Sequence, residues 1–390
     1  MNRTPTEPAP LGPPRLGLVL GGGGLKGFAH IGALQALAER GLAPRVLAGS
    51  SIGALIGAAF VGKLPIETMR ARALALRRKE LFRINHVGML LERMQSRSIY
   101  LEEPLRALIA DIVPDATFHQ LGTPLLINTV DLLRGTPLVW GSPGFTHAHV
   151  RDAVYASCAL PGFFPPGDVG GRICVDGGTV DNLPATIVRD AQPFGAVDRI
   201  IAVDVGNADL ATAGMGGRAH LLDAADTGPM SQLGFAATFM RAASVMMHAL
   251  QRGQLARYHG PPLLVVRPRV SHVPWFSFAD TPELIGAGYA AMSAALDHAG
   301  PFWHATSGLF PRERVSVTVQ RNLCTGCGQC VAIAPHALQR DAEGRAIPLH
   351  PDVEWTPADG DLARYCPTGA LHVVPVGPFD TRSAPVSDAA

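Results

Sequence analysis

Charge is scarce in this chain. Asp, Glu, Lys and Arg supply only 17% of its 390 residues, and 33 basic side chains against 32 acidic ones leave a formal net charge of +1. No global field therefore steers it toward nucleic acid or an anionic membrane surface. Long apolar runs are missing too. The longest candidate, Ile52–Val61, is about half of the roughly 20 residues needed to span a bilayer and fits a buried helix. The opening MNRTPTEPAPLGPPR has no apolar core followed by a small-residue cleavage site, so no export signal is expected. Cysteine is scarce, with six in all, and unevenly placed. Cys158 and Cys174 stand mid-chain, whereas Cys324, Cys327, Cys330 and Cys366 fall near the C-terminus. A cytoplasmic setting is the expected one, with room for peripheral contact at the inner membrane face. In a reducing compartment, clustered thiols point to metal rather than to disulfides.

What is abundant is apolar residues and turn formers. Hydrophobic residues make up 47%, which excludes a mostly disordered chain. The length admits two or three domains. Glycine (43) and proline (33) are both in excess. From Arg15 to about Leu210, short apolar runs alternate with Ala-rich helical patterns. Strands are expected at Leu16–Leu20, Val46–Gly49, Leu125–Val130, Leu138–Trp140 and Ile200–Val205, and helices at Gly27–Arg40, Ile52–Phe60, Glu102–Ala110, Val150–Ser157 and Thr186–Asp190. This order predicts a mainly parallel sheet covered by helices on both faces, a three-layer α/β/α arrangement. Asn207–Gly228 reads as a loop, followed by a long helix Gly234–Tyr258, a strand Leu263–Arg267 and a helix Pro282–His298. A break is expected at Ser307–Pro311, and Arg314–Gln320 alternates like a half-buried strand. The resulting division is a tail 1–14, a large domain 15–306, a small domain 307–376 and a tail 377–390.

The strand Leu16–Leu20 runs into Gly21-Gly22-Gly23-Gly24-Leu25-Lys26-Gly27. Glycines followed by a helix N-terminus leave unpaired N–H groups that favour an anion, whether a phosphate or a transient oxyanion. Gly22, Gly24 and Gly27 also fit the dinucleotide pattern G-x-G-x-x-G. That fold needs an acid at the end of the second strand, which here ends in Ser50-Ser51; the nearby Glu39 lies on the preceding helix. A Walker loop is excluded, because Lys26 is followed by Gly27. The second strand instead opens Gly49-Ser50-Ser51-Ile52-Gly53, a G-x-S-x-G turn between strand and helix that would push Ser51 out of the sheet on a strained backbone. A serine needs a base. Asp176-Gly177-Gly178, after the short strand Arg172–Val175, offers a carboxylate with backbone room around it.

The blocks GGGGLKGFAHIGAL, GSSIGALIGAAF, ASCALPGFFPP and DGGTVDNLP resemble the motifs of the patatin-like phospholipases, in family order, over about residues 15–300. The resemblance implies a Ser–Asp dyad without histidine. Ser51 would be the nucleophile and Asp176 the proton acceptor. Backbone N–H groups around Gly22, Gly23 and Gly24 would form the oxyanion hole, and Lys26 would stand at the position the family gives to Arg or Lys. Gly49, Gly53, Gly177 and Gly178 would support the motif. The implied substrate is a lipid or other acyl ester.

Other candidates are weaker. His30 is expected to pack or to make a structural hydrogen bond. His147 and His149 have no nameable partner. Asp131 and Asp204 end candidate strands and could line the site or cap loops, and Asp181-Asn182 could orient Asp176. Cys158 and Cys174 are expected to pack as small hydrophobes. Phe163-Phe164, the aromatic run from Trp275 to Phe278 and the Met240–Met247 stretch read first as core, with an acyl-chain pocket or membrane-facing patch as the alternative.

Cys324-x2-Cys327-x2-Cys330, with a remote Cys366-Pro367, can supply four thiolates to one cubane cluster. A two-cluster ferredoxin would carry another cysteine where Ala334-Pro335 stands, so the count predicts one [4Fe–4S] cluster. Zinc, the rival, usually takes two separated ligand pairs. RNLCTGCGQCVAIAPHAL and YCPTGAL resemble a ferredoxin-like 4Fe–4S domain, which implies a small α+β fold over about residues 312–376. The segment Asp341–Asp361 is longer than a minimal ferredoxin needs.

The expectation is thus a lipid acyl hydrolase with an appended cluster for redox sensing or electron transfer, and with it a possible redox partner protein. Two rivals are an iron–sulfur electron carrier using the large domain as a lipid-docking platform, and an acyltransferase.

Overall fold

The structure is a computed structural model that describes residues 14–84, 98–191, 194–206, 235–273 and 275–378, with the backbone alone for 235–241 and 377–378. The expected loop Asn207–Gly228, nearly all of the N-terminal tail and the C-terminal tail beyond 378 lie outside the described residues, as do the side chains of Met240 and its neighbours.

Central strands are short apolar runs because both faces of the sheet are covered. β1 (Leu16–Leu20), β2 (Val46–Gly49) and β3 (Leu125–Asp131) are buried along their whole length, as is β8 (Leu263–Val266). β7 (Arg199–Val203) is buried except at its first residue. The remaining members are β4 (Thr136–Trp140), β5 (Gly167–Val169), β6 (Arg172–Asp176) and β9 (Leu309–Phe310). The nine strands run in the order β5-β6-β3-β2-β1-β7-β8-β9, with β4 also on β3. The five pairings from β3 to β9 are parallel, and those of β3 with β4 and β6, and of β5 with β6, are antiparallel.

Alternation along β1 sends Leu18 and Leu20 to one hydrophobic core and Val19 to the other. The first core takes helices α1 (Ala29–Glu39), α2 (Ile52–Val61), α3 (Ile66–Ala75) and α4 (Glu103–Ile112), together with α5 (Val150–Cys158) and α7 (Thr281–Asp297). The second core takes the turn around Leu183–Val188 and Leu255 of α6 (Phe235–Ala256). These are the three layers expected from the sequence, with a mainly parallel sheet between them.

The break expected at Ser307–Pro311 is itself structured. Leu309 and Phe310 pair in parallel with Leu263 and Leu264 and complete the large sheet. These two apolar residues, expected in the segment 307–376, thus cover the β8 edge of the large sheet.

Beyond it, β10 (Glu313–Val319) forms a three-stranded antiparallel sheet with β13 (Asp352–Trp355) and β14 (Leu371–Pro378). β11 (Leu338–Arg340) and β12 (Ala346–Pro348) make a hairpin, and α8 (Gln329–Ile333) is a short helix. This strand-rich unit has its own core, including Val315, Val317, Trp355 and Leu371. It meets the large unit through Arg267, which donates to the Pro357 carbonyl at 3.1 Å, and Arg252, whose guanidinium lies 4.8 Å from the Tyr365 ring centre.

Candidate active site

Ser51 sits between β2 and α2 with φ 52° and ψ −124°, a left-handed conformation that a non-glycine residue rarely adopts. A serine at a helix start ordinarily caps it, but the Ser51 side chain makes no such bond. The strained turn instead turns the hydroxyl toward the apolar pocket. Gly53 is required beneath it, since a Cβ there would lie 2.0 Å from the Leu20 carbonyl oxygen.

Ser157 holds this turn. Its hydroxyl accepts the Ser51 N–H at 2.9 Å and donates to the Asn128 carbonyl at 2.9 Å, with no exposure to solvent. The sequence reading passed over Ser157; its only signal was a position just ahead of Cys158 in the ASCALPG block.

Asp176 ends β6 and is buried. Its Oδ1 accepts the Gly178 N–H at 2.7 Å. Burial pushes its carboxyl up from 3.8 to about 6, against the Gly178 N–H and the Ser51 hydroxyl, both of which favour the charged form. The fold thus brings Ser51 and Asp176 together from distant positions in the chain. At neutral pH the carboxylate remains ionised, yet it is a better base than an exposed aspartate.

The glycine loop lies against the serine: a Cβ at Gly22 would stand 3.2 Å from the Ser51 Cβ and 2.4 Å from Asn182 Oδ1. Asn182 clamps Gly22 from both sides. Its carbonyl accepts the Gly22 N–H at 3.0 Å, and its Nδ2 donates to the Gly22 carbonyl at 3.1 Å. This corrects the expected donor set, because the Gly22 N–H is spent on Asn182. Among the described residues nothing accepts from the Gly23 or Gly24 N–H. His30 is fully buried and donates from Nε2 to the Gly21 carbonyl at 2.8 Å, the structural bond expected of it. Burial lowers its pKa to about 4 and keeps it neutral. Lys26 is also buried, with Nζ 3.4 Å from the Ser271 carbonyl oxygen.

Ser51 and Asp176 open onto a cavity of about 80 Å³ with walls from Leu76, Leu81, Leu105, Phe164, Trp275 and Phe276. Phe163 is buried in the core beside it, so the aromatic clusters serve both packing and pocket. Cys158 packs against the core as expected, and it also lines this cavity, close enough to interact with Ser51. Burial raises its thiol well above the ordinary range, so it stays protonated. Asp131 and Asp204 do not line the cavity. Asp131 holds Arg134 and Arg172, and Asp204 holds Gln251 and Arg267.

The four late cysteines gather in the small unit and are all free thiols. Cys330 is buried and feels the charges of Cys324, Cys327 and Cys366. Gly326 and Gly328, at φ 70° and 78°, turn the loop between the first three. No three His, Cys, Asp or Glu among the described residues converge closely enough to hold a metal ion. One tetrahedral zinc would draw the thiolates to within about 4 Å of each other. For Cys366 burial opposes ionisation, but hydrogen bonds from Thr368, Ala370 and Leu371 outweigh it and lower its pKa. The donor set and these N–H···S contacts suit an iron–sulfur cluster.

Comparison with known proteins gives matches in both units. Residues 18–189 match the family model described as patatin-like phospholipase, and residues 317–373 match that of a 4Fe-4S single cluster domain. An uncharacterized NTE family protein of Mycobacterium tuberculosis is 34% identical over 50% of this chain and 50% of its own length. The lysophospholipase nte1 of Aspergillus oryzae is 33% identical over 50% of this chain and 12% of its own. The chain thus spans half the length of the mycobacterial relative. VipD of Legionella pneumophila aligns over 73% of this chain and 67% of its own at 15% identity, with a TM-score of 0.36, too low to carry an argument. No helix among the described residues is long and apolar enough to cross a membrane.

Proposed function

We propose that the chain is a serine lipid acyl hydrolase acting on single-chain acyl esters. The observation that carries this reading is Ser51 on its strained turn, facing the buried Asp176 on the wall of an apolar cavity. The match of residues 18–189 to the patatin-like phospholipases and the lysophospholipase name of the fungal relative support it. Ser51 Oγ attacks the ester carbonyl while Asp176 takes its proton. The oxyanion is held by the Gly23 and Gly24 N–H groups, each such donor being worth about 10²–10³ in rate. The acyl chain lies along the leucines and aromatics. Asp176 returns the proton to the departing alcohol, then removes one from the water that frees the acid. Serine-directed fluorophosphonate labelling is the test: the chain should take up one adduct that Ser51→Ala abolishes. Labelling unchanged in a folded Ser51→Ala protein would sink the reading.

We also propose that Cys324, Cys327, Cys330 and Cys366 hold one [4Fe–4S] cluster, which when bound supplies one-electron redox chemistry. The chain's own residues offer a route from there to the dyad. Leu362–Tyr365, the turn before Cys366, carries Tyr365 against Arg252 of α6. On the same helix, Gln254 donates to the Val180 carbonyl at 3.2 Å, and Met247 lies 3.0 Å from where a Gly178 Cβ would be. A shift of that turn would reach the loop that holds Asp176. Ester turnover should therefore differ between cluster-loaded and cluster-free protein; equal rates would count against the coupling.

A further inference from the structure

Between the two units lies a second cavity, of about 160 Å³, unconnected with the acyl pocket by any shared lining residue. Its walls bring together His248 and Arg252 of α6, Arg267 just beyond β8, and Asp361 and Arg364 from the approach to Cys366. Three guanidiniums and an imidazole thus face a space with one carboxylate. Asp361 is committed to Arg364, with Oδ2 3.1 Å from Arg364 Nε. Behind the wall, the buried Asp204 is held by Gln251 at 2.7 Å and by Arg267 at 3.2 Å. Neither carboxylate is left to neutralise Arg252.

Arg252 is half-buried and makes no hydrogen bond or ion pair among the described residues; its guanidinium lies against the Tyr365 ring. A guanidinium not engaged by a carboxylate keeps the forked N–H donors that a bidentate oxyanion meets. Burial acts first to lower the His248 pKa; Asp204 raises it, and Arg364, Arg267 and Arg252 each lower it, so all three guanidiniums are felt at the imidazole. Dry cavities of about this size are lined by apolar residues. One lined by arginines holds water or an anion, and water satisfies donors without compensating charge.

We propose that this cavity is a binding site for a phosphate-type oxyanion, bridging Arg252 and Arg267 of the large unit to Arg364 of the small one. Free inorganic phosphate and the exposed phosphomonoester of a lipid head group share that chemistry. Such a ligand would cement the junction between the units, because its ligands come from both.

The test uses the full chain, purified anaerobically, in chloride and phosphate buffers of matched ionic strength. Inorganic phosphate at about 10 mM should raise the melting temperature by about 2–4 °C. Arg252→Gln should abolish the shift, and Arg252→Lys should keep part of it. Should Arg252→Gln fail to fold, His248→Glu, which adds a carboxylate to the cavity, should abolish the shift instead. Ser51→Ala should shift as the wild type does, because the site is independent of the ester chemistry. The lipid source is tested by flotation with phosphatidylcholine vesicles containing phosphatidic acid. Binding lost in Arg252→Gln, with no response to free phosphate, would support the site and assign it to head groups. No response to either probe, or a response unchanged in both cavity variants, overturns the proposal.

Discussion

Asp176 sets stability against chemistry within one side chain. Its folded pKa is raised, from 3.8 to about 6, so the native protein carries no penalty below about pH 4 and the full penalty above about pH 6, where a buried charge must be kept. Asp176→Asn is expected to raise stability at pH 7 by about 2–3 kcal/mol, with the gain vanishing near pH 4. The same change should lower ester turnover by about 10²–10⁴. Urea unfolding at the two pH values and an ester assay check both halves. In the wild type, turnover should fall as pH drops through about 6, where the base is lost. Ser157 gives the second expectation at this scale. Ser157→Ala leaves the Ser51 N–H without its acceptor, which costs about 1–3 kcal/mol. A fall of about tenfold or more in kcat with KM little changed is expected if that bond holds the strained turn in place. Ser51 and Asp176 were legible in the sequence because their glycine contexts are local. Ser157 and Asn182 were not legible as clamps, since each acts on a residue far away in the chain.

Among the elements, α6 ties the two units to the dyad. Leu255 is buried in the core beneath the sheet, and Leu255→Ala should cost about 2–5 kcal/mol, measured as a lower unfolding midpoint. Met247, itself buried, reaches the Asp176 turn. Met247→Ala should therefore reduce turnover without changing fluorophosphonate access to Ser51. The periodicity of the sequence found this helix, and its strands and helices elsewhere agree with the structure to within a few residues. It gave no expectation for α3, β5, α8 or β11 to β14, and it missed β9 because a two-residue strand has no period to detect and is formed only by pairing with β8. It also could not tell that Asp204, at the end of β7, would serve Gln251 and Arg267 rather than the active site.

For the whole molecule, separate cores in the large and small units predict two unfolding steps rather than one. Cys330→Ser should lose bound iron and sulfide, which in the wild type should each come to about four per chain. It should also lower the transition of the small unit while that of the large unit persists. Zinc in place of iron would overturn the ligand reading. What the sequence determined by itself was whatever rests on neighbours in the chain: the alternation of strands and helices, the glycine loop, the G-x-S-x-G turn, and the spacing of three cysteines. Those patterns are read from local backbone needs, namely a tight turn, a close approach, or a loop wrapped round a cluster. The tertiary structure alone decided that the Gly22 N–H is given to Asn182, a residue that follows the Asp176 turn. It alone set Cys158 beside Ser51 and gathered arginines from both units round one cavity. Burial and long-range pairing are properties of the packed chain, and no local pattern encodes them.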